Sequence, residues 1–254
     1  MASIFSKVIR VGRLRIRYFT GGHGEPLVVL HGGADGARSW LKNAAELSKY
    51  YRVYIPDLPG FGHSQPLSSD FRIPEYVSFV DDFSRSLGLE RFNLVGHSMG
   101  GRIAIGYALK HPQRIKKLVL VSSIGLGKEI ALWARVSCWL LGRAVLGILR
   151  AAKWLLRGLR PGRWRKDPGF SLKIGRSLMN LKGQAQVIVH QLSNLLMPTL
   201  LVWGANDLVL PVSHGYAASR VIPDCELRVL EGCGHSVYKQ KIAEFSRVLS
   251  TFLG

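Results

Sequence analysis

Val95-Gly96-His97-Ser98-Met99-Gly100-Gly101 joins two segments of different pattern. Before it, Arg91-Phe92-Asn93-Leu94-Val95 is short and mostly apolar, as expected of a strand. After it, Arg102-Ile103-Ala104-Ile105-Gly106-Tyr107-Ala108-Leu109 reads as a helix ended by His111-Pro112. A strand that becomes a helix across one residue must bend sharply. Gly96 and Gly100 lack a Cβ, so the two elements can approach closely on either side of Ser98. The bend lifts the Ser98 hydroxyl to the sheet edge above the helix N-terminus. This is the G-x-S-x-G nucleophile elbow in its strand–turn–helix context.

Outward from the elbow the same alternation continues. Upstream, Val8-Ile9-Arg10-Val11 and Leu14-Arg15-Ile16-Arg17-Tyr18-Phe19 flank Gly12 and read as a hairpin of half-exposed strands. Leu27-Val28-Val29-Leu30 is a continuous apolar run, a strand covered on both faces, and ends in His31-Gly32-Gly33-Ala34-Asp35-Gly36. A helix is expected over Ser39 to Tyr50, a strand over Arg52-Val53-Tyr54-Ile55, and a helix over Pro74 to Leu87. Downstream, Ile115 to Val121 is a further buried strand. The rhythm stops over 124–196 and resumes with Pro198-Thr199-Leu200-Leu201-Val202-Trp203-Gly204-Ala205-Asn206-Asp207. A helix over about Val212 to Val221, a strand over Glu226 to Leu230, and Gly232-Cys233-Gly234-His235 follow. An amphipathic helix carrying Ile242, Phe245, Val248, Leu249 and Phe252 closes the chain. Strands alternating with helices give an α/β fold with a mostly parallel sheet, and functional groups gather at the carboxyl ends of such strands.

A serine hydroxyl needs a base, and the base needs an orienting carboxylate. His235 and Asp207 both follow strands of the expected sheet. The order Ser98, Asp207, His235 is the order in which this elbow's triad partners occur. Asp207 also suits a plain turn, since Asn206-Asp207 is good turn chemistry. Asp57 is read as a loop organiser, and Cys233 as an inert buried thiol.

These residues resemble the α/β-hydrolase superfamily over nearly the whole chain outside 124–196. The marks are His31-Gly32-Gly33, Asp57-Leu58-Pro59-Gly60-Phe61-Gly62-His63-Ser64, the Gly96–Gly101 elbow, Trp203-Gly204-Ala205-Asn206-Asp207 and Gly232-Cys233-Gly234-His235-Ser236. The resemblance implies that Ser98 attacks an acyl carbon, that His235 shuttles the proton and that Asp207 holds the imidazole. It implies an oxyanion hole built from the backbone N–H groups of Gly33 and Met99. His31, Gly32, His97, Trp133, Val209 and Ser236 are expected around the substrate pocket, with His31 ordering the oxyanion loop and His97 not acting as the base.

In this superfamily an insertion at 124–196 is a cap over the site. The chain thus divides into a first core part, 1–123, a basic helical cap, 124–196, inserted after the sixth strand, and a second core part, 197–254. From Lys128 to Lys182 thirteen basic residues face only Glu129 and Asp167, so this stretch carries +11 of the net +19. Arg143, Arg150, Lys153, Arg157 and Arg160 share one helical arc, and Trp133, Trp139, Trp154 and Trp164 are interspersed. Two readings compete. The cap packs its apolar face over the pocket with a solvated basic face outside, or it docks on an anionic membrane. The former ranks slightly ahead. Nucleic acid is disfavoured because no binding motif is present.

At 254 residues, with 47% apolar and 20% charged residues, the chain can bury a full core as one domain. Cys138, Cys225 and Cys233 are three, an odd number without a C-x-x-C pair, which fits a reducing, cytoplasmic setting, with peripheral membrane contact as the variant. No secretory leader and no membrane span are expected. No metal-ligand cluster or phosphate loop appears, so no cofactor is expected. The leading expectation is a carboxylesterase acting on apolar esters. The alternative is a carbon–carbon bond hydrolase of the meta-cleavage-product type, whose oxyanion loop His31 to Trp40 resembles. That group has Asn where His97 stands and Trp where Ser236 stands, and both departures favour the esterase. A binding protein without turnover on the same fold is the third reading.

Overall fold

The computed structural model describes residues 3–33, 35–67, 72–130, 178–180, 183–185 and 187–254. The expected cap helices, their arginines and Trp133 lie outside the described residues. Eight strands form one sheet: β1 (Phe5–Val11), β2 (Leu14–Gly21), β3 (Glu25–Leu30), β4 (Tyr51–Pro56), β5 (Phe92–His97), β6 (Ile115–Val121), and, beyond the 124–196 segment, β9 (Thr199–Gly204) and β10 (Cys225–Leu230). Their order across the sheet is β1-β2-β4-β3-β5-β6-β9-β10. The β1/β2 and β2/β4 pairs are antiparallel, and every other pair is parallel.

Why these apolar runs become strands is visible in where alternate residues go. Val28 and Leu30 join one core cluster, while Leu27 and Val29 join the other on the opposite face. The same division separates Leu118 and Leu120 from Val119 and Val121, and Leu201 and Trp203 from Leu200 and Val202. A strand buried on both faces has no polar side to show, so its sequence is uniformly apolar. Each such Val or Leu contributes about 1.5–3 kcal/mol when fully buried.

The first face is covered by α2 (Ile73–Ser86), α3 (Met99–Lys110) and α4 (Ser213–Ser219). The second is covered by α1 (Leu41–Leu47), α5 (Val237–Gln240) and α6 (Ile242–Leu253). One expectation needs correction. The Ser39–Tyr50 helix is a 3-10 turn, Ala37–Trp40, followed by the shorter α1. The expected closing helix is α6, which carries Ile242, Phe245, Val248, Leu249 and Phe252; the short α5 precedes it, and the chain re-aims between them at Lys241 (φ −128°, ψ 63°). Within 124–196, two short strands, β7 (Met179–Asn180) and β8 (Gly183–Gln184), pair antiparallel where no strand signal was read.

Both stems of that segment are tied to one point on the core. The Gly125 N–H donates to Gln184 Oε1 (2.6 Å) and the Gln184 N–H to the Lys128 carbonyl (2.9 Å). His214 of α4 meets Glu129 Oε2 at 2.7 Å from Nε2. The entry and exit of the segment thus lie side by side next to β6 and β9. Among the described residues no helix is long and apolar enough to cross a membrane.

Candidate active site

Ser98 is the hinge between β5 and α3, with φ 54° and ψ −113°. That is a region few non-glycine residues occupy, and holding it costs of order 1–3 kcal/mol. Three backbone hydrogen bonds impose it. The Ser98 N–H donates to the Val121 carbonyl (3.0 Å), and the Ser98 carbonyl accepts from Arg102 and Ile124 (both 3.2 Å). The glycines are steric necessities. A Cβ on Gly96 would collide with the Gly100 carbonyl, and one on Gly100 with the Leu30 carbonyl of β3.

Asp207 follows β9 and His235 follows β10, the two neighbouring strands at the sheet's end. Their loops are joined, since the Asn206 N–H donates to the Cys233 carbonyl (2.8 Å). Gly204 permits this, because a Cβ there would strike the Cys233 and Gly234 carbonyls. His235 Nδ1 lies 2.9 Å from Asp207 Oδ2, and the carboxylate is fully buried while the imidazole is about one-fifth exposed. The other carboxylate oxygen, Oδ1, accepts from the N–H groups of Val209 (2.8 Å) and Leu210 (2.9 Å). Burial alone would raise the Asp207 carboxyl. The hydrogen bond and charge of His235, with those two backbone donors, outweigh it and hold the group below its ordinary range.

The oxyanion-loop candidates lie where β3 ends. Gly32 sits against the elbow: a Cβ on it would be 2.7 Å from His97 Nδ1 and 3.4 Å from Ser98 Cβ. Gly33 follows it, and Met99 opens α3, where the helix N-terminus favours negative charge. His31 and His97, both expected around a pocket, are buried. His31 donates from Nδ1 to the Gly32 carbonyl (2.9 Å) and accepts at Nε2 from the Leu58 N–H (3.0 Å), which ties the β3 loop to the β4 loop. Asp57 organises that second loop by accepting from Ala37 (2.9 Å), His63 (3.0 Å) and the Arg17 guanidinium (2.6 Å). Val209 serves the Asp207 turn, and Ser236 precedes the first turn of α5.

A second tether escaped the sequence. Tyr238 of α5 donates to Asp35 Oδ2 (3.0 Å), and Lys239 Nζ meets Asp35 Oδ1 (2.6 Å). Tyr238 also stacks on Trp40, with ring centroids 4.0 Å apart and 6° between planes. The Gly234 N–H donates to Gln240 Oε1 (2.7 Å). The loop carrying His235 is therefore moored to the loop carrying Gly33. Among the described residues no group of three or more His, Cys, Asp or Glu could hold a metal.

Arranged this way, the loops offer a buried carboxylate, an imidazole bonded to it, a strained serine and a helix N-terminus at one sheet edge. Comparison with known proteins agrees with the fold. Residues 25–141 match the family model for the alpha/beta hydrolase fold. The chain is 29% identical to the 2-hydroxy-6-oxo-6-phenylhexa-2,4-dienoate hydrolase of Comamonas testosteroni, over 94% of this chain and 91% of that one. Among solved structures it is similar to a membrane phospholipase A that is a bacterial virulence factor, at 25% identity and a TM-score of 0.76, covering 98% of this chain and 86% of that one. It is also similar to carboxylesterase CesB of Bacillus subtilis, at 21% identity and a TM-score of 0.78, covering 99% and 92%. By sheet order, elbow and these matches, the chain has the α/β-hydrolase fold.

Proposed function

We propose that the chain is a serine hydrolase that cleaves carboxylic esters of hydrophobic, lipid-like substrates through an acyl-enzyme. The observation that carries this reading is the His235 Nδ1–Asp207 Oδ2 bond of 2.9 Å beside an elbow serine held at φ 54°. Asp207 keeps the proton of His235 on Nδ1, which leaves Nε2 as the base. Ser98 Oγ attacks the ester carbonyl carbon while its proton passes to Nε2. The carbonyl oxygen becomes an oxyanion, received by the N–H groups of Gly33 and Met99, each worth roughly 2.7–4 kcal/mol to the transition state. The alcohol leaves with the proton from His235, and water, activated in the same way, releases the acid. Val209, Ser236 and Trp133 are assigned to the pocket walls on the same reading. No cofactor enters any step.

The substrate class rests on two supports. The 25% likeness to a membrane phospholipase A over nearly the whole chain favours a lipid ester. The charge favours an anionic surface around it. The sequence of the 124–196 segment is strongly basic, and the β1–β2 hairpin adds exposed Arg10, Arg13 and Arg15. Tyr18 pairs with Pro56 at the end of β4, so the hairpin tip projects past the carboxyl edge of the sheet, the edge that carries Ser98. Arg10 and Arg15 face each other in the ladder, an arrangement that costs stability in water and is relieved by an anionic partner. We therefore place the protein as a peripheral visitor to anionic membrane, on the cytoplasmic side.

A second reading is favoured by the 29% likeness to a dienoate hydrolase, which would make the scissile bond carbon–carbon. The test is turnover of p-nitrophenyl esters of increasing chain length and of a ring-fission dienoate, by wild type and by Ser98→Ala. Ester turnover that is lost in Ser98→Ala, with a preference for medium or long chains, is expected. Turnover of the dienoate alone would move the assignment to the second reading. Turnover of neither by folded protein would leave a binding protein.

A further inference from the structure

We propose that His97 is a positioning residue that brackets the nucleophile to its base, by donating a hydrogen bond from Nε2 to the backbone carbonyl of His235. This rests on the serine hydrolase reading and extends it to a group that takes no part in the chemistry above.

His97 is adjacent to Ser98 in the chain and 2% exposed. Its Nε2 lies 3.0 Å from the His235 carbonyl oxygen. A carbonyl can only accept, so Nε2 carries the proton, and Nδ1 is a bare lone pair. Nδ1 has no hydrogen-bond partner among the described residues and faces Gly32. The ring packs tilted against the His235 ring and edge-on to Tyr238, both at 4.9 Å between centroids. One side chain thus touches the oxyanion loop, the base's loop and the helix that follows it.

A buried imidazole with an unsatisfied nitrogen costs stability. An apolar side chain would avoid that cost if filling space were the only need. What the imidazole supplies is a donor at fixed reach from the Ser98 backbone. Asp207 fixes the ring of His235, and His97 fixes its main chain. Two anchors define where Nε2 of His235 stands relative to Ser98 Oγ. Neutrality matters as well, since His235 becomes an imidazolium during the reaction. Burial first, and the neighbouring His235 second, push His97 down to about 3, so it stays uncharged.

The test compares kcat and KM of His97→Met and His97→Gln on a soluble p-nitrophenyl ester. The two side chains have similar length, but only Gln carries a donor near the Nε2 position. His97→Met is expected to lose about 10–100-fold in kcat with KM within about threefold, as a misplacement near 1 Å would cause. His97→Gln is expected to recover to within about fivefold of wild type. Should His97→Met fail to fold, His97→Asn, whose amide is too short to reach the carbonyl, takes its place with the same expectation. Wild-type kcat in the Met or Asn variant overturns the proposal, as does an equal loss with Gln. Fluorophosphonate labelling of the wild type, run in parallel, separates this from failure of the serine hydrolase reading: without labelling at Ser98 that reading falls first.

Discussion

The carboxylate of Asp207 divides its two oxygens between two tasks. Oδ1 holds the turn through Val209 and Leu210, while Oδ2 meets His235. Asp207→Asn keeps its one oxygen for the turn and puts the amide NH2, a donor, opposite Nδ1, which upsets the imidazole tautomer. The expected result is a fall in kcat of about 10⁴-fold with the thermal midpoint little changed, measured by ester turnover and by calorimetry. Near-normal turnover would show that another carboxylate orients the base. At this scale the sequence was informative where a residue follows a strand of the sheet, as Asp207 and His235 do. It was silent on Asp35, Tyr238 and Lys239, whose bonds span 203 and 204 positions and leave no local pattern. The bland alternative for Asp207, a turn residue, is also true: the same side chain does both.

At the scale of elements, the elbow depends on absent atoms. A methyl group on Gly96 would meet the Gly100 carbonyl and Gly101 Cα, main-chain atoms at the start of α3. Backbone cannot step aside as a flexible side chain can. Gly96→Ala is therefore expected to destabilise the fold by roughly 1–3 kcal/mol or more, read as a lower urea midpoint. An unchanged midpoint would mean that strand and helix are not clamped there. The strands were the most legible elements because burial on both faces leaves an unbroken apolar run. The ends of helices were less so. Nothing in Ser39-Trp40 signals a 3-10 turn, and α5, four residues long, is too short to carry a helical period. The β7 and β8 strands, two residues each, are too short to carry a period.

For the whole molecule, the net charge of +19 is the property that the α/β core does not need. Charge of one sign repels itself and raises the rate of encounter with anionic surfaces. The arginines of the β1–β2 hairpin and the basic 124–196 sequence thus lead to one expectation. The protein should sediment with vesicles rich in phosphatidylserine at low salt, and release should follow rising salt over the range where the Debye length shrinks below about 10 Å. Equal sedimentation with neutral vesicles would remove the electrostatic part of the proposal and leave the esterase assignment standing. Overall topology was readable because each strand–helix unit repeats the same pattern. The basic segment was readable only as composition, since charge and tryptophan spacing do not fix what covers what.

Ester cleavage by this route requires that Ser98 become covalently acylated. The most direct measurement is intact mass and peptide mapping after incubation with a fluorophosphonate, which reacts only with a serine whose base and oxyanion donors are in place. One adduct per chain, mapped to Ser98 and absent from both Ser98→Ala and His235→Ala, is the predicted result. A folded wild-type protein that takes up no adduct, or takes it up at another residue, would rule out Ser98 as the nucleophile.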